Sequence, residues 1–334
     1  MKNVLVLGST GAMGQYLVPY LADMGYSITA VSLDDEKPYN DKVTCIKGNV
    51  KDSDFLTSIL SRKFDGIVDF MVYGGHDFEK YYKLYLENTD HYIFLSSCRI
   101  YANEEVPIKE TSPRLLDVST DKNLLSSNDY CIYKAKSENL LMLSKYKNWT
   151  IVRPATTFSK MRYQLVTLEA INVVGRAKKG KKVVLPIQAK NKPATLCWAG
   201  DVSMMIAKLL FNNEAKREIF NVCSSEHHTW EEIAEYYHDI AGLEAVWVDK
   251  EDYLKIINPD MPNGCRWQLE YARLFDRITD NSKVLNVTGM KQEELMPLYD
   301  SLKLMIEAVP EGYEFPETDI SIRMDEYLKE NNLI

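Results

Sequence analysis

An unbroken apolar run, Val4-Leu5-Val6-Leu7, leads directly into a turn with glycines at 8, 11 and 14. Apolar residues without polar alternation are the pattern of a central parallel strand buried on both faces. Gly8 permits a tight turn there, Gly11 lets the backbone come close to a pyrophosphate, and Gly14 lets the following helix pack close to the sheet. Gln15 to Met24 continues as an amphipathic helix, and Ser27 to Leu33 reads as a second strand. Backbone amides at such a helix start suit phosphate groups. Gly8, Ser9, Thr10, Gly11, Ala12, Met13 and Gly14 are therefore the candidate cradle of a dinucleotide.

The end of the second strand carries Asp34 and Asp35. A carboxylate there can accept hydrogen bonds from ribose hydroxyls and repels a 2′-phosphate, so Asp34 favours NAD, with NADP as the alternative. Two acidic residues opening a polar loop are also ordinary turn chemistry. Further strands are expected at Val43 to Ile46, Phe64 to Val72, Tyr92 to Ser96 and Trp149 to Arg153, with only a short helix, Asp77 to Glu87, between the fourth and fifth. This alternation of strands and helices predicts an α/β fold: a Rossmann-type, doubly wound parallel sheet.

Tyr130-Cys131-Ile132-Tyr133-Lys134 places Tyr130 and Lys134 four residues apart, on one face of a helix. A phenol with a pKa near 10 is a poor base at neutral pH, but a nearby ammonium favours its phenolate. Taken alone, the same spacing also describes a surface tyrosine above a solvated lysine.

Together these segments resemble the short-chain dehydrogenase/reductases, and among them the extended members of the NAD-dependent epimerase/dehydratase family. The glycine turn is G-x-x-G-x-x-G. Gly48-Asn49-Val50-Lys51-Asp52 is similar to the family's G-D-x-x-D beside the adenine, with Asn49 in place of the aspartate. Phe94 to Tyr101 (FLSSCRIY) is similar to S-S-x-x-V-Y-G, and Tyr130 to Lys134 to Y-x-x-x-K. Arg153-Pro154-Ala155-Thr156-Thr157-Phe158 is similar to the L-R-P-x-x-x-Y-G that opens the substrate lobe.

The resemblance implies catalytic roles for Ser97, Tyr130 and Lys134. It also implies cofactor contacts from Asn49, Val50, Tyr130, Lys134 and Pro154. Lys134 would tune Tyr130 and hold the nicotinamide ribose, while Ser97 would hydrogen-bond the substrate oxygen.

It further implies a Rossmann domain over residues 1–158, with a return segment at about 192–225. A small discontinuous substrate lobe would take 159–191 and 226–290, followed by a helical C-terminal extension over 291–334. The short link before the fifth strand leaves Asn88 as the only nearby candidate for the family's active-site asparagine. Ala194 stands where nucleotide-sugar epimerases carry an arginine that grips the pyrophosphate, and Lys192, Arg266 and Arg273 are candidate substitutes. Asp201 is expected near a helix N-cap, and Thr229 with Glu232 to form a capping box.

Composition narrows the function classes. With 334 residues, 46% of them hydrophobic, the chain can bury a full core. No apolar run approaches the roughly 20 residues that cross a bilayer, and no cationic leader opens the sequence, so a cytoplasmic location is expected. Six scattered cysteines without a C-x-x-C pair suggest neither a zinc site nor a disulfide framework. His227 and His228 lack partners at ligand spacing, and no metal is expected. The net charge of −8 argues against nucleic acid and anionic membranes as partners. Lys178 to Lys182 reads as a solvated turn before a strand.

The reading is an enzyme acting at a secondary alcohol or ketone, as an epimerase, dehydratase or reductase. Its substrate is a small molecule, with a sugar or nucleotide-sugar suggested by family analogy alone, and it works as a monomer or homodimer. The alternatives are a reductase of another small carbonyl compound, and a non-catalytic nucleotide-sensing or RNA-associated protein on the same fold.

Overall fold

The structure, a computed structural model, describes residues 1–74, 77–259 and 262–334. Its centre is a sheet of seven parallel strands: β1 (Asn3–Leu7), β2 (Ser27–Ser32), β3 (Val43–Lys47), β4 (Phe64–Asp69), β5 (Thr89–Leu95), β6 (Trp149–Pro154) and the strand Glu218–Val222. Across the sheet the order is Glu218–Val222, β6, β5, β4, β1, β2, β3. The order reverses between β1 and β4, which opens a crevice at the carboxyl ends of those strands.

Residues of β1 alternate between the two faces, and each face meets its own core. Val4 and Val6 pack with Leu17 and Leu21 of the helix Gly14–Asp23 and with Met205 and Ile206 of the helix Ala199–Leu209. Leu5 and Leu7 pack on the opposite side with Leu56, Phe78, Tyr85 and Leu141. That two-sided burial is why the run is apolar without alternation, and each such side chain contributes about 1.5–3 kcal/mol.

β5 begins at Thr89, three residues before its apolar stretch. The ladder runs from Thr89 opposite Phe64, and the polar start is satisfied internally. His91 shares a hydrogen bond with Thr150 Oγ1 (2.8 Å) and accepts the Phe211 amide at Nδ1 (2.8 Å). β4 ends at Asp69 instead of continuing to Val72, and Phe70, Met71 and Val72 turn into the crevice.

A second core lies beyond β6. It joins the strands Val183–Pro186 and Ala245–Val248, the helix Trp230–Ala241, and the helices Leu298–Glu307 and Asp319–Glu330. The capping box at Thr229 and Glu232 is present. Residues beyond 290 form part of this core, since Leu302, Met324 and Leu328 are fully buried in it.

The basic turn before Val183 is not simply solvated. Lys181 pairs with Asp325 (2.7 Å) and Glu317 (3.0 Å), and buried Arg176 also pairs with Asp325 (2.6 Å), so the turn docks the last helix. Asp201 lies near its helix N-cap, in the first turn after Trp198, but makes no capping bond. It is the third residue of its helix and accepts the Met296 amide at 2.9 Å, while burial pushes its carboxyl up to about 6.

Candidate active site

The crevice is a cleft of about 570 Å³ lined by the glycine turn, the ends of β2, β4 and β5, Tyr130, Pro154 and residues of the second lobe. Gly8 has φ +80°, a conformation that favours glycine. A Cβ on Gly14 would lie 2.4 Å from Ser9 O and 2.6 Å from Gly8 O, so only glycine lets the helix start this close to the turn. The amides of Thr10, Ala12 and Met13 donate to no backbone acceptor among the described residues. Free amides at the start of a ten-residue helix with no acid in its first turn fit the pyrophosphate of a dinucleotide.

Asp34 stands at the β2 end of this cradle and accepts a hydrogen bond from Thr10 Oγ1 (2.7 Å). Glu36, not singled out from sequence, accepts one from Ser9 Oγ (3.2 Å). Asp35 turns away to Lys47 (2.6 Å). Asn49 and Val50 line the same end of the cleft, but Asn49 Oδ1 is engaged by the Lys51 amide (3.0 Å), leaving its side-chain NH2 toward a ligand.

Tyr130 is the first residue of the helix Tyr130–Met142, whose N-cap Asp129 accepts the Cys131 amide (3.0 Å). Of the adjacent serines, Ser97 lines the cleft, whereas Ser96 is buried with its hydroxyl unpartnered. Burial pushes the Tyr130 phenol above its ordinary value; the Arg99 charge, the Ser97 hydroxyl and the Arg162 charge act against that shift.

Lys134 Nζ lies 5.7 Å from the centroid of the Tyr130 ring, and the Arg99 guanidinium carbon 5.2 Å from it. Lys134 Nζ donates to Leu95 O (2.6 Å) and reaches Met71 O (3.4 Å), bridging the ends of β5 and β4. Beneath it, Asp69 accepts from Tyr92 (2.6 Å) and Tyr73 (2.8 Å) in a buried network.

Asn88 is not in the cleft; its side chain donates to Leu84 O (2.8 Å) and closes the helix Asp77–Glu87. Of the candidate substitutes for the arginine missing at Ala194, only Arg273 lines the cleft. Lys192 pairs with Asp276 (3.1 Å), and Arg266 pairs with Glu251 (2.6 Å) and Glu270 (3.0 Å). Arg99, Arg162 and Arg277 also line the cleft and were not anticipated. His228 pairs with Glu226 (2.8 Å), and no cluster of metal-ligating side chains occurs among the described residues. No helix among those residues is long and apolar enough to cross a membrane.

The sheet order and the glycine turn at its switch point define a Rossmann-type, doubly wound α/β fold. Residues 4–89 match the model of the NAD dependent epimerase/dehydratase family.

Solved structures share the fold at low identity. An epimerase from Methanothermobacter thermautotrophicus has TM-score 0.72 and 15% identity over 92% of this chain and 91% of that one. A UDP-glucose 4-epimerase of Thermus thermophilus, in complex with NAD, has TM-score 0.68 and 16% identity over 93% and 100%. In sequence, the chain is 25% identical over 248 residues to the chloroplast stem-loop binding protein of 41 kDa b of Arabidopsis thaliana, a match covering 70% of this chain and 61% of that protein.

Proposed function

We propose that the chain is an NAD(P)-dependent enzyme that oxidises or reduces a secondary alcohol or ketone of a small molecule, with NAD as the preferred cofactor. The observation carrying this reading is the convergence of Ser97, Tyr130 and the glycine cradle on one cleft, with Lys134 beneath it. When bound, the cofactor supplies a nicotinamide ring that accepts or returns a hydride.

The amides of Thr10, Ala12 and Met13 would hold its pyrophosphate. Asp34 would hold the adenosine ribose, Asn49 and Val50 the adenine, and Lys134 the nicotinamide ribose, with Pro154 at the nicotinamide end. Tyr130 exchanges a proton with the substrate oxygen, and Ser97 hydrogen-bonds that oxygen. An ordinary phenol is protonated at neutral pH and burial raises this one further, so Tyr130 in the free protein stands as the acid that completes reduction of a ketone.

Sugars and nucleotide-sugars are the substrates suggested by the named epimerases of this fold. An epimerase or dehydratase regenerates its cofactor within each turnover, whereas a reductase consumes it. Native mass spectrometry of gently purified protein, with identification of any released nucleotide, separates these. Retained NAD supports internal recycling, an empty site that takes up added NADH or NADPH supports a reductase, and binding of neither removes the enzyme reading. The name of the Arabidopsis relative favours a second reading, association with RNA. Salt-sensitive RNA binding without nucleotide uptake would support it.

A further inference from the structure

Elsewhere in this chain a buried arginine is matched by a carboxylate: Arg153 by Glu138 at 2.7 Å and Arg176 by Asp325 at 2.6 Å. The cleft breaks that pattern. Arg99, Arg162, Arg273 and Arg277 all line it, in a chain whose net charge is −8.

Arg277 turns both Nη groups to backbone carbonyls, donating to Tyr101 O (2.9 Å), Tyr271 O (3.2 Å) and Ala102 O (3.5 Å). The other three keep donors in reserve. Arg99 spends one Nη on Asp129 at 3.3 Å, while its Nε is buried with no partner. Arg273, 8% exposed, donates Nε to Val166 O (2.7 Å) and Nη1 to Thr156 Oγ1 (2.9 Å), and its Nη2 has no bond among the described residues. Arg162 is exposed at the cleft, and its guanidinium pairs with no carboxylate among the described residues.

The acids at this end are Asp129, which meets Arg99 by the one long contact, and Glu169, which accepts from Gln164 Nε2 (2.8 Å). The guanidinia also repel one another, and burial with the Arg99 charge drives Arg273 down to about 9. A buried charge without a counter-charge is costly, and Arg273 is in that state, so this cluster is built for a counter-charge that the described residues do not provide. Planar forks with free N–H groups suit the paired oxygens of a carboxylate or phosphate.

Arg99 fixes where that charge sits. It leaves the turn after β5 two residues beyond Ser97, and its guanidinium carbon lies 5.2 Å from the centroid of the Tyr130 ring. We infer that Arg99, Arg162 and Arg273 bind an anionic group of the substrate, a carboxylate or a phosphate, beside the Tyr130 hydroxyl. The substrate is then a hydroxy or keto acid, a sugar acid or a sugar phosphate with its negative group near the reacting carbon. The inference rests on the proposed reading of Tyr130 as the proton-exchanging group.

The test is calorimetric titration of inorganic phosphate, malonate and UDP into the NADH-saturated protein, preceded by titration of NADH itself. The NADH titration judges the oxidoreductase reading separately from the anion site. Phosphate or malonate should bind one-to-one, and Arg99→Met and Arg162→Met should each weaken it by about tenfold or more while NADH affinity stays unchanged. Arg162 is exposed, so its variant keeps the test valid if Arg99→Met does not fold. Preference for phosphate marks a phosphate ester, and preference for malonate a carboxylate. The inference is overturned if neither small anion binds, if both variants bind as wild type does, or if only UDP binds and does so equally to all three proteins.

Discussion

Glu138 receives two hydrogen bonds from Arg153, Nε to Oε1 at 2.8 Å and Nη2 to Oε2 at 2.7 Å, in a pair almost completely withdrawn from water. The pair ties the helix bearing Tyr130 and Lys134 to the end of β6, where Pro154 lines the cleft. Arg153 also donates to Tyr101 Oη (2.7 Å), which donates to Asn221 Oδ1 (2.7 Å), so the last two strands join the same network. Glu138→Gln leaves a buried guanidinium uncompensated and should cost about 3–5 kcal/mol. Urea denaturation checks this through the midpoint at unchanged slope. A loss below about 1 kcal/mol would show that neither Arg153 nor Arg114, 3.2 Å from the same carboxylate, depends on its charge.

Asp34 and Glu36 both bond to the glycine turn, so a 2′-phosphate would meet two carboxylates there. NADH should bind more tightly than NADPH, and Asp34→Arg should shift the ratio of the two affinities toward NADPH by about tenfold or more. Fluorescence titration with each cofactor reads the ratio. An unchanged ratio would mean that Asp34 does not face the ribose.

Burial brings the Lys134 ammonium down to about 8, against the charges of Asp69 and Glu138. The folded protein thus releases this proton at lower pH than the unfolded chain. Between about 8 and the ordinary 10.5 the unfolded state binds more protons, so this group's contribution makes stability rise with pH there. Cofactor affinity has the opposite sign, because the protonated form is the fuller hydrogen-bond donor to a ribose. NADH affinity should be full below about 8 and weaken as pH rises through it. In Lys134→Met it should be weaker throughout and lack that inflection; persistence of the same inflection would assign the titration to another group.

Features with local chemistry were legible in the sequence. The turn at Gly8 to Gly14 could be read because its glycines answer to steric demands within a few residues, and Tyr130 and Lys134 because one helix sets their spacing. The arginine cluster was not, because Arg99, Arg162 and Arg273 come from three segments that only the fold brings together. Arg99 carried one usable signal, its place two residues after Ser97. The role of Asp201 was hidden for the same reason: its partner, the Met296 amide, lies far along the chain. The polar start of β5 escaped notice because apolar periodicity cannot register a buried histidine whose ring is satisfied by Thr150 and Phe211. The tail's helicity was readable, but not its docking through Asp325 onto Arg176 and Lys181.

The central claim is that the turn after β1 holds a dinucleotide against Tyr130 and Lys134. The most direct test is NADH fluorescence titration of the wild type and of Gly14→Ala, whose added methyl would fall 2.4 Å from Ser9 O and force the turn open. Saturable one-to-one binding by the wild type is expected, weakened by about tenfold or more in Gly14→Ala while its circular dichroism stays native. No saturable binding by the wild type, or equal binding by both proteins, would contradict the account.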